Sequence, residues 1–584
     1  MDVLIIGVLA VFAIVLAAQA STRLRVAAPL VLVVLGIGVS LLPIVPEVHV
    51  EPEWILAGVL PPLLYSAAVS MPTMEFRRDF RAISGLSVVL VVISSVGLGL
   101  LFAWLITGLG VPAGIALGAI ISPTDAVATT IVKQLGVSPR IVAVLEGESL
   151  LNDATALVVL RSAIAATATS ISFWGVVGDF FYAVAVAVAI GLAVGLLNLR
   201  LRSRVRDAAV NTAVSFTIPF VASIPAELLG ASGLVAAVTA GIITGRGAAR
   251  WLTPQHRLSD AQNWRTIELL LEGGVFLLMG LELTAILNDV EADEIAGFGI
   301  AAGLAALALV ATLVIRAAYV APLLSGLSRS ARRDASRLDG VEAMQSRLDA
   351  AAAGQPHGPA PAPEEPPSGR GAGRRTRGRP VPRPQDAERF RTRLARFVAD
   401  LDYMQAEPLG VREGTLIVWA GMRGVVTLAA AQTLPADTPS RSLLIVVAFF
   451  VAAASLLLQG GTVAPLARWL RLTGVGANTE ERERLSNELS IAARAALKEN
   501  GIDVRALRRP PGDDAQDAQD VPSPSRDADR IRSVRLEMIQ AQRRRLLELR
   551  NAGTYSSGAL TWALESLDAD EISLELHSPG AGTE

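Results

Sequence analysis

Residues 119–128 read AIISPTDAVA and residues 145–159 read LEGESLLNDATALVV. Both stretches lie in apolar surroundings, and both carry carboxylates where a bare charge is costly and has to be explained by a pathway or a partner. In the first, Pro123 removes a backbone donor and disfavours helical geometry at Ser122, so a helix running through it opens there. An opened helix offers carbonyls and the Thr124 hydroxyl to a cation, with Asp125 supplying the charge. In the second, Glu148 and Asn152 stand at i,i+4, as do Ser149 and Asp153, which puts the two pairs on neighbouring faces of one helix. Asp153 is flanked by Leu150, Leu151 and Ala154, whereas Glu146 and Glu148 lie nearer the basic end of the run. Burial favours the protonated carboxyl and a bound cation favours the carboxylate, so one such group suits proton and cation in turn if the two compete. The plainer alternatives are a proline kink with Asp125 at a helix end, and a structural ion pair for Asp153.

Working outward, these stretches belong to a chain of 584 residues that is 52% apolar and only 18% charged, with a mean hydropathy of +0.48. Soluble domains are about one quarter charged, which argues against an ordinary cytosolic enzyme. There are no cysteines, so disulfides, thiolate chemistry and Cys-ligated metals are absent. His49, His256, His357 and His577 are too scattered for a His-rich metal site. No G-x-x-x-x-G-K-[ST] loop or TVGYG-like filter occurs, which weighs against ATP-driven pumping and a potassium channel. The fold class is an all-α polytopic membrane protein.

Windows of about 20 residues, the length that spans a bilayer, fall near 3–20, 27–44, 54–71, 83–107, 110–131, 141–168, 172–199, 208–227, 230–245, 264–286, 296–327, 413–435 and 442–470, or about 13 transmembrane helices. The first has only Asp2 before it and is read as a retained helix, not a cleaved leader. Basic residues cluster in alternate links: Arg23 and Arg25, then Arg77, Arg78 and Arg81, Lys133 and Arg140, Arg200 to Arg206, and Arg246 to Arg257. The intervening links are neutral or acidic apart from Arg441. By the positive-inside rule the N-terminus lies outside and the C-terminus in the cytoplasm.

Four regions follow: spans one to eleven over 1–327, an insertion over 328–411, spans twelve and thirteen over 412–472, and a tail over 473–584. The centre of the insertion, rich in Pro, Gly and Arg, cannot bury a core and is read as largely disordered. Its stretch 370–396 holds ten arginines against Asp386 and Glu388; it serves as a solubilising linker or touches anionic lipid headgroups, and nucleic acid is not an expected partner. In the tail, TEERERLSNELSIAARAALKENG and RIRSVRLEMIQAQRRRLLELRNAG read as two helical stretches joined by an acidic linker.

Other charges fall inside spans. GMRG at 421–424 puts Arg423 in the middle of span twelve, where it stays charged and needs a carboxylate from another span. The glycines on both sides suggest an unwound or closely approached backbone. Span ten carries Glu268 and Glu272 on one face, and span eleven carries Arg316; these are gating or secondary groups, able to pair across helices. Span five is the fifth of the first six and span twelve the fifth of the last six, and they cross in opposite directions. That fits two inverted six-helix repeats with discontinuous helices five and twelve.

With these residues named, the chain resembles bacterial sodium/proton antiporters of the monovalent cation:proton antiporter-1 family, over roughly residues 1–472. LPPLLYSAA at 60–68 resembles the third-span motif, AIISPTDAVA followed by GESLLNDATALVV is highly specific, and GMRG agrees with both. GALTWALESLDADEISLE at 558–575 looks like the C-terminal segment of bacterial members. The resemblance implies thirteen spans, a homodimer built on the first helices and an elevator-like core. It implies that Asp153 is the ion-binding carboxylate, and that Asn152 marks the electroneutral members. Asp125 and Thr124 would be the unwound-helix pair, Ser149 a further Na⁺ ligand, and Glu148 with Arg423 a structural ion pair. Glu272 departs from the family, which often has a neutral Asn there, as does the long insertion. The expected activity is secondary transport without a cofactor: one cytoplasmic Na⁺ leaves as one external H⁺ enters, in a cell membrane. K⁺/H⁺ exchange, with Li⁺ as a further candidate cation, is the alternative within the class; a cation channel or a transporter-like sensor is the alternative outside it.

Overall fold

The computed structural model describes residues 2–24, 26–43, 45, 48, 50–168, 173–292, 298–335, 398–401, 403–474, 479–499 and 524–576. Among them the regular structure is helical throughout. The expected disorder of the insertion and the lipid contact of 370–396 fall outside the described residues.

In chain order the helices are α1 (Asp2–Leu24), α2 (Ala28–Ser40), α3 (Trp54–Ser70), the short α4 (Thr73–Arg78), α5 (Phe80–Leu105), α6 (Val111–Ile121) and α7 (Val127–Gln134). Next come α8 (Pro139–Ala168), α9 (Phe173–Arg202), α10 (Ala208–Leu228), α11 (Gly233–Trp251), α12 (Pro254–Leu281), α13 (Leu283–Ala292) and α14 (Phe298–Ala335). Beyond the insertion lie α15 (Val411–Trp419), α16 (Val425–Gln432) and α17 (Arg441–Trp469), and the tail forms α18 (Thr479–Glu499), α19 (Pro524–Ala552) and α20 (Ser557–Leu576). Eight of the described helices are long and apolar enough to cross a membrane, while Ala28–Ser40, Trp54–Ser70 and Val111–Ile121 are shorter apolar helices. Each apolar window of the sequence falls on a helix or on a pair of half-helices. Pro219 and Pro225 do not break α10, which runs through both; neighbouring helices can satisfy the backbone groups that a proline frees.

Two groups of helices form. α9, α10 and α11 pack on one another and, through α11, on α3; α12 lies along α2 and α1. In the other group α5, α6 and α8 pack together, α14 and α15 lie against α17, and α16 packs on α6 and α17. Small residues let backbones approach in membrane bundles: a Cβ on Gly36 of α2 would come within 2.9 Å of the Gly280 Cα of α12. Leu64 and Ala68 of α3, Leu150 and Ala154 of α8, and Leu234 and Val238 of α11 form an apolar cluster that joins the two groups.

The tail departs from expectation by forming three helices instead of two. In α20, Ala559, Leu560, Ala563 and Leu567 recur at helical spacing and are buried against Leu485, Leu489, Ile539, Leu546 and Leu549 of α18 and α19.

Candidate functional site

Both expected interruptions are present. α6 stops at Ile121 and α7 begins at Val127; α15 stops at Trp419 and α16 begins at Val425. The two breaks meet, because the Asp125 N–H donates to the Met422 carbonyl at 2.7 Å. The two breaks leave four helix ends inside the protein, positive at the N-termini and negative at the C-termini. Each end finds an opposite charge. The Asp125 carboxylate accepts from the Val127 N–H at 2.8 Å and from the Val425 N–H, so it faces the N-termini of α7 and α16 together. Arg423 Nε donates to the Ile121 carbonyl at 3.0 Å, at the C-terminus of α6. Arg316 Nε and Nη2 donate to the Ile417 carbonyl at 3.1 and 2.9 Å, in the last turn of α15.

Gly424 is what permits this crossing. A Cβ placed there would fall onto Asp125 Oδ2, and one placed on Gly421 would run into the Arg316 guanidinium. Glycine is needed here for close approach, since the Gly424 φ of −131° is open to any residue.

The expected pair of Glu148 with Arg423 is not the one formed. Glu148 is held by Arg316, through Nη1 to Oε1 and through Nη2 to Oε2 at 2.7 Å, and both residues are only 2% exposed. Arg423 spends its donors on backbone instead, reaching Ile121 and its own turn at the Gly421 carbonyl, while its N–H donates to Ser455 Oγ at 2.9 Å. The physical reason is geometric. α14 lays Arg316 between α8 and the end of α15, where a planar bidentate fork matches a carboxylate, and Arg423 serves the other broken helix. Arg316 is therefore a structural partner and pairs with neither glutamate of α12; Glu268 instead accepts from Ser66 Oγ.

From that pair a chain of polar groups leads inward. Thr124 Oγ1 donates to Glu148 Oε1 at 3.3 Å, and Asn152 Nδ2 donates to Thr124 Oγ1 at 2.6 Å and to the Thr124 carbonyl at 3.2 Å. The carbonyl can only accept, which fixes the amide orientation. It leaves Asn152 Oδ1 buried with no donor among the described residues. Ser149 Oγ donates to the Glu146 carbonyl at 3.2 Å.

A cavity of about 470 Å³ opens on this cluster. Thr124, Asp125, Ser149 and Asp153 line one wall with Gly424 and Val426; Glu268, Glu272 and Phe276 of α12 line the other with Leu64 of α3. Asp153 is 8% exposed, and its near charge is Asp125, another carboxylate. Among the described residues none donates a hydrogen bond to it or pairs with it. Lys133 and Glu146, at the mouth, are joined at 3.2 Å. The site is therefore oxygen-rich and short of positive charge on its cavity side, with its arginines occupied behind it. Such a donor set suits a hard monovalent cation or a proton. Among the described residues no trio of His, Asp or Glu is grouped to hold a resident metal.

Every expected site residue except Arg423 and Arg316 lines the cavity or, like Asn152 and Glu148, bonds directly to Thr124 in its wall. Sequence reasoning expected a close approach at Gly421 and Gly424 but missed that Asp125 and Arg316 are what approach, and it missed the helix-end role of the two arginines. The signal was present as two lone arginines in apolar runs and one glycine beyond a break.

The family described as "Sodium/hydrogen exchanger, transmembrane" matches residues 8–341 and 392–469. An uncharacterized Na⁺/H⁺ exchanger of Escherichia coli (strain K12) is 35% identical over 271 residues, which is 44% of this chain and 49% of that protein, so the chain spans about half of that relative. An uncharacterized Na⁺/H⁺ exchanger of Mycobacterium tuberculosis (strain ATCC 25618 / H37Rv) is 26% identical over 601 residues, 98% of this chain and 97% of that protein. Among solved structures, the sodium proton antiporter of Methanocaldococcus jannaschii at pH 8 has the same fold, with a TM-score of 0.55 at 16% identity, covering 80% of this chain and 99% of that one. With the family matching most of the chain on both sides of the insertion, and with the crossed interruptions in place, this protein belongs to the sodium/hydrogen exchanger family.

Proposed function

We propose that the protein is a secondary transporter that carries cytoplasmic Na⁺ out in exchange for external H⁺, one for one. The observation that carries this reading is the unpaired, nearly buried Asp153 on a cavity shared with Asp125, at the crossing of two interrupted helices. In one half-cycle Asp153 and Asp125 hold the cation with Thr124, Ser149 and the free Asn152 Oδ1; in the other Asp153 holds a proton. The Arg316 and Arg423 contacts keep the half-helix ends fixed while that charge changes. A single carboxylate that takes either load, beside an Asn152 amide that adds no proton of its own, carries the same total charge in both half-cycles, which is what neutral exchange needs.

The same reading takes the chain as crossing a cell membrane thirteen times, in two inverted six-helix repeats, with the N-terminus outside and the tail in the cytoplasm. The first-helix side chains Leu4, Leu9, Phe12 and Leu16 are each at least 62% exposed, a surface that lipid or a second copy in a homodimer would cover.

The test is transport by the purified protein in proteoliposomes. An imposed Na⁺ gradient should drive a saturable proton counterflow, and D153N should carry none. Repeating the assay with Li⁺ and K⁺ decides the cation. A conductive, unsaturable flux would mean a channel and would remove this reading.

A further inference from the structure

The tail grips the preceding helices at two separated places, the short α4 and the start of α12. At α4, Glu75 is 2% exposed and accepts from the Ser557 N–H at 2.9 Å and from the Ser557 hydroxyl. Beside it Arg78 Nη2 donates to the Gly553 carbonyl at 2.8 Å, and Met74 packs on the apolar core of the tail bundle. Arg78 also binds the chain returning from the insertion, through Nε to Asp400 at 2.6 Å and over the Tyr403 ring at 4.8 Å. At α12 the grip is Arg257, whose Nε donates to Asp568 at 2.8 Å, with Gln255 reaching Glu575 two turns further along α20.

These grips hold opposite walls of the cavity. α4 is fixed to the helix of Asp153, because the Asp79 that ends it pairs with Arg140 at the start of α8 at 2.8 Å, with both side chains at most 6% exposed. α12 carries Glu268 and Glu272 on the facing wall and packs on α1 and α2. A site between two walls opens to each side of a membrane in turn when one wall moves against the other. A folded element bonded to both resists that motion.

We propose that the tail bundle is a brake on transport, with α20 strapping α4 to α12. The strap rests on the exchange reading given above. Its α4 end is the anchor, buried and shared with the insertion's return segment. Its α12 end is the releasing end, since the Arg257 and Asp568 side chains are 12% and 10% exposed and Gln255 with Glu575 lies in the open.

The chain contains no cysteine, so the double variant Q255C/E575C places its only two thiols across the releasing end. In proteoliposomes, oxidation of this variant should slow Na⁺-driven proton flux by about fivefold or more, the lower edge of ordinary coupling between distant sites, and a reductant should restore it. The control E481C/S556C, which joins two tail residues in contact with each other, should transport equally well oxidised and reduced. D568N, which loosens the same end without a disulfide and also removes the Arg543 pair that holds α20 to α19, should run faster than the unaltered protein. Equal rates for oxidised and reduced Q255C/E575C, or a D568N rate at or below that of the unaltered protein, would overturn the brake. Unaltered protein with no flux at all would instead overturn the exchange reading and the brake with it.

Discussion

The backbone N–H of Asp125 and the carbonyl of Met422, nearly 300 residues apart in sequence, are hydrogen-bonded at 2.7 Å inside the two helix interruptions. That bond makes the breaks one unit. Asp125 then faces two helix N-termini, and the two C-termini are met by Arg423 and Arg316. A cation entering beside Asp153 meets a frame whose own partial charges are already answered.

Gly424→Ala should break that unit. The added methyl would occupy the position of Asp125 Oδ2, so either the carboxylate leaves the two N–H groups or the breaks separate. Overpacking of this kind costs about 1–3 kcal/mol, and the detergent-solubilised protein should melt lower and transport little Na⁺. Gly274→Ala, where nothing lies within 4 Å of the new Cβ, should leave both readings near those of the unaltered protein. A fully active G424A would mean that the crossing is looser than the Asp125 contacts imply.

Glu148 and Arg316 should couple strongly, and Glu148 and Arg423 weakly. Removing one member of a buried pair leaves an uncompensated charge and costs about 3–5 kcal/mol, so E148A and R316A should each lower the melting temperature markedly. The double variant should recover part of that loss, giving a large interaction energy in a double-mutant cycle. R423A should also destabilise, through the carbonyl of Ile121 that it leaves bare, but additively with E148A. A cycle in which Glu148 couples to Arg423 and not to Arg316 would reverse the assignment.

That correction shows where the sequence stops being readable. Hydropathy locates the spans because lipid imposes length and composition on each of them, and Pro123 locates the first break because its missing N–H is a local fact. Partner choice is not local. Arg316 and Arg423 are both single arginines in apolar runs, and nothing in either run says which one α14 or the second break will turn toward Glu148, more than 160 residues away. α20 escaped for a related reason: its apolar face is short and interleaved with Glu565, Asp568, Asp570 and Glu571, and it becomes a helix with a buried side only where α18, α19 and α4 supply the other surface.

D153N should abolish exchange in a protein that still folds and inserts. Among the described residues none gives Asp153 a hydrogen bond that an amide would spoil, so the substitution removes charge and titration while keeping size. Melting temperature should be unchanged or higher, since a nearly buried carboxylate is replaced by a neutral group. D125N should differ: its amide NH₂ would turn a donor toward the Val127 or Val425 N–H, so it should lower stability as well as flux. Near-normal Na⁺-driven proton flux from folded D153N would remove Asp153 from its assigned role.

Asn152 should set the charge balance of the cycle. A one-for-one exchanger carries the same charge with Na⁺ or H⁺ aboard, and a single competing carboxylate meets that condition, because an amide adds no proton of its own. A membrane potential of 100 mV is worth roughly 2.3 kcal/mol per elementary charge, yet it should leave the Na⁺/H⁺ reversal point where it is. The measurement is that reversal point in proteoliposomes at several clamped potentials and fixed gradients; a shift that tracks voltage would make the exchange electrogenic and sink the assignment. N152D is a harder test than its chemistry suggests. Nδ2 donates to both the carbonyl and the hydroxyl of Thr124, and a carboxylate would set an oxygen against that carbonyl at 3.2 Å. Losing such buried contacts costs about 1–3 kcal/mol, so N152D should melt lower than the unaltered protein, and Na⁺ or a lower pH should return part of the loss by neutralising the new charge. N152D as stable as the unaltered protein at high pH without Na⁺ would show that the Asn152 amide does not hold the broken helix through Thr124.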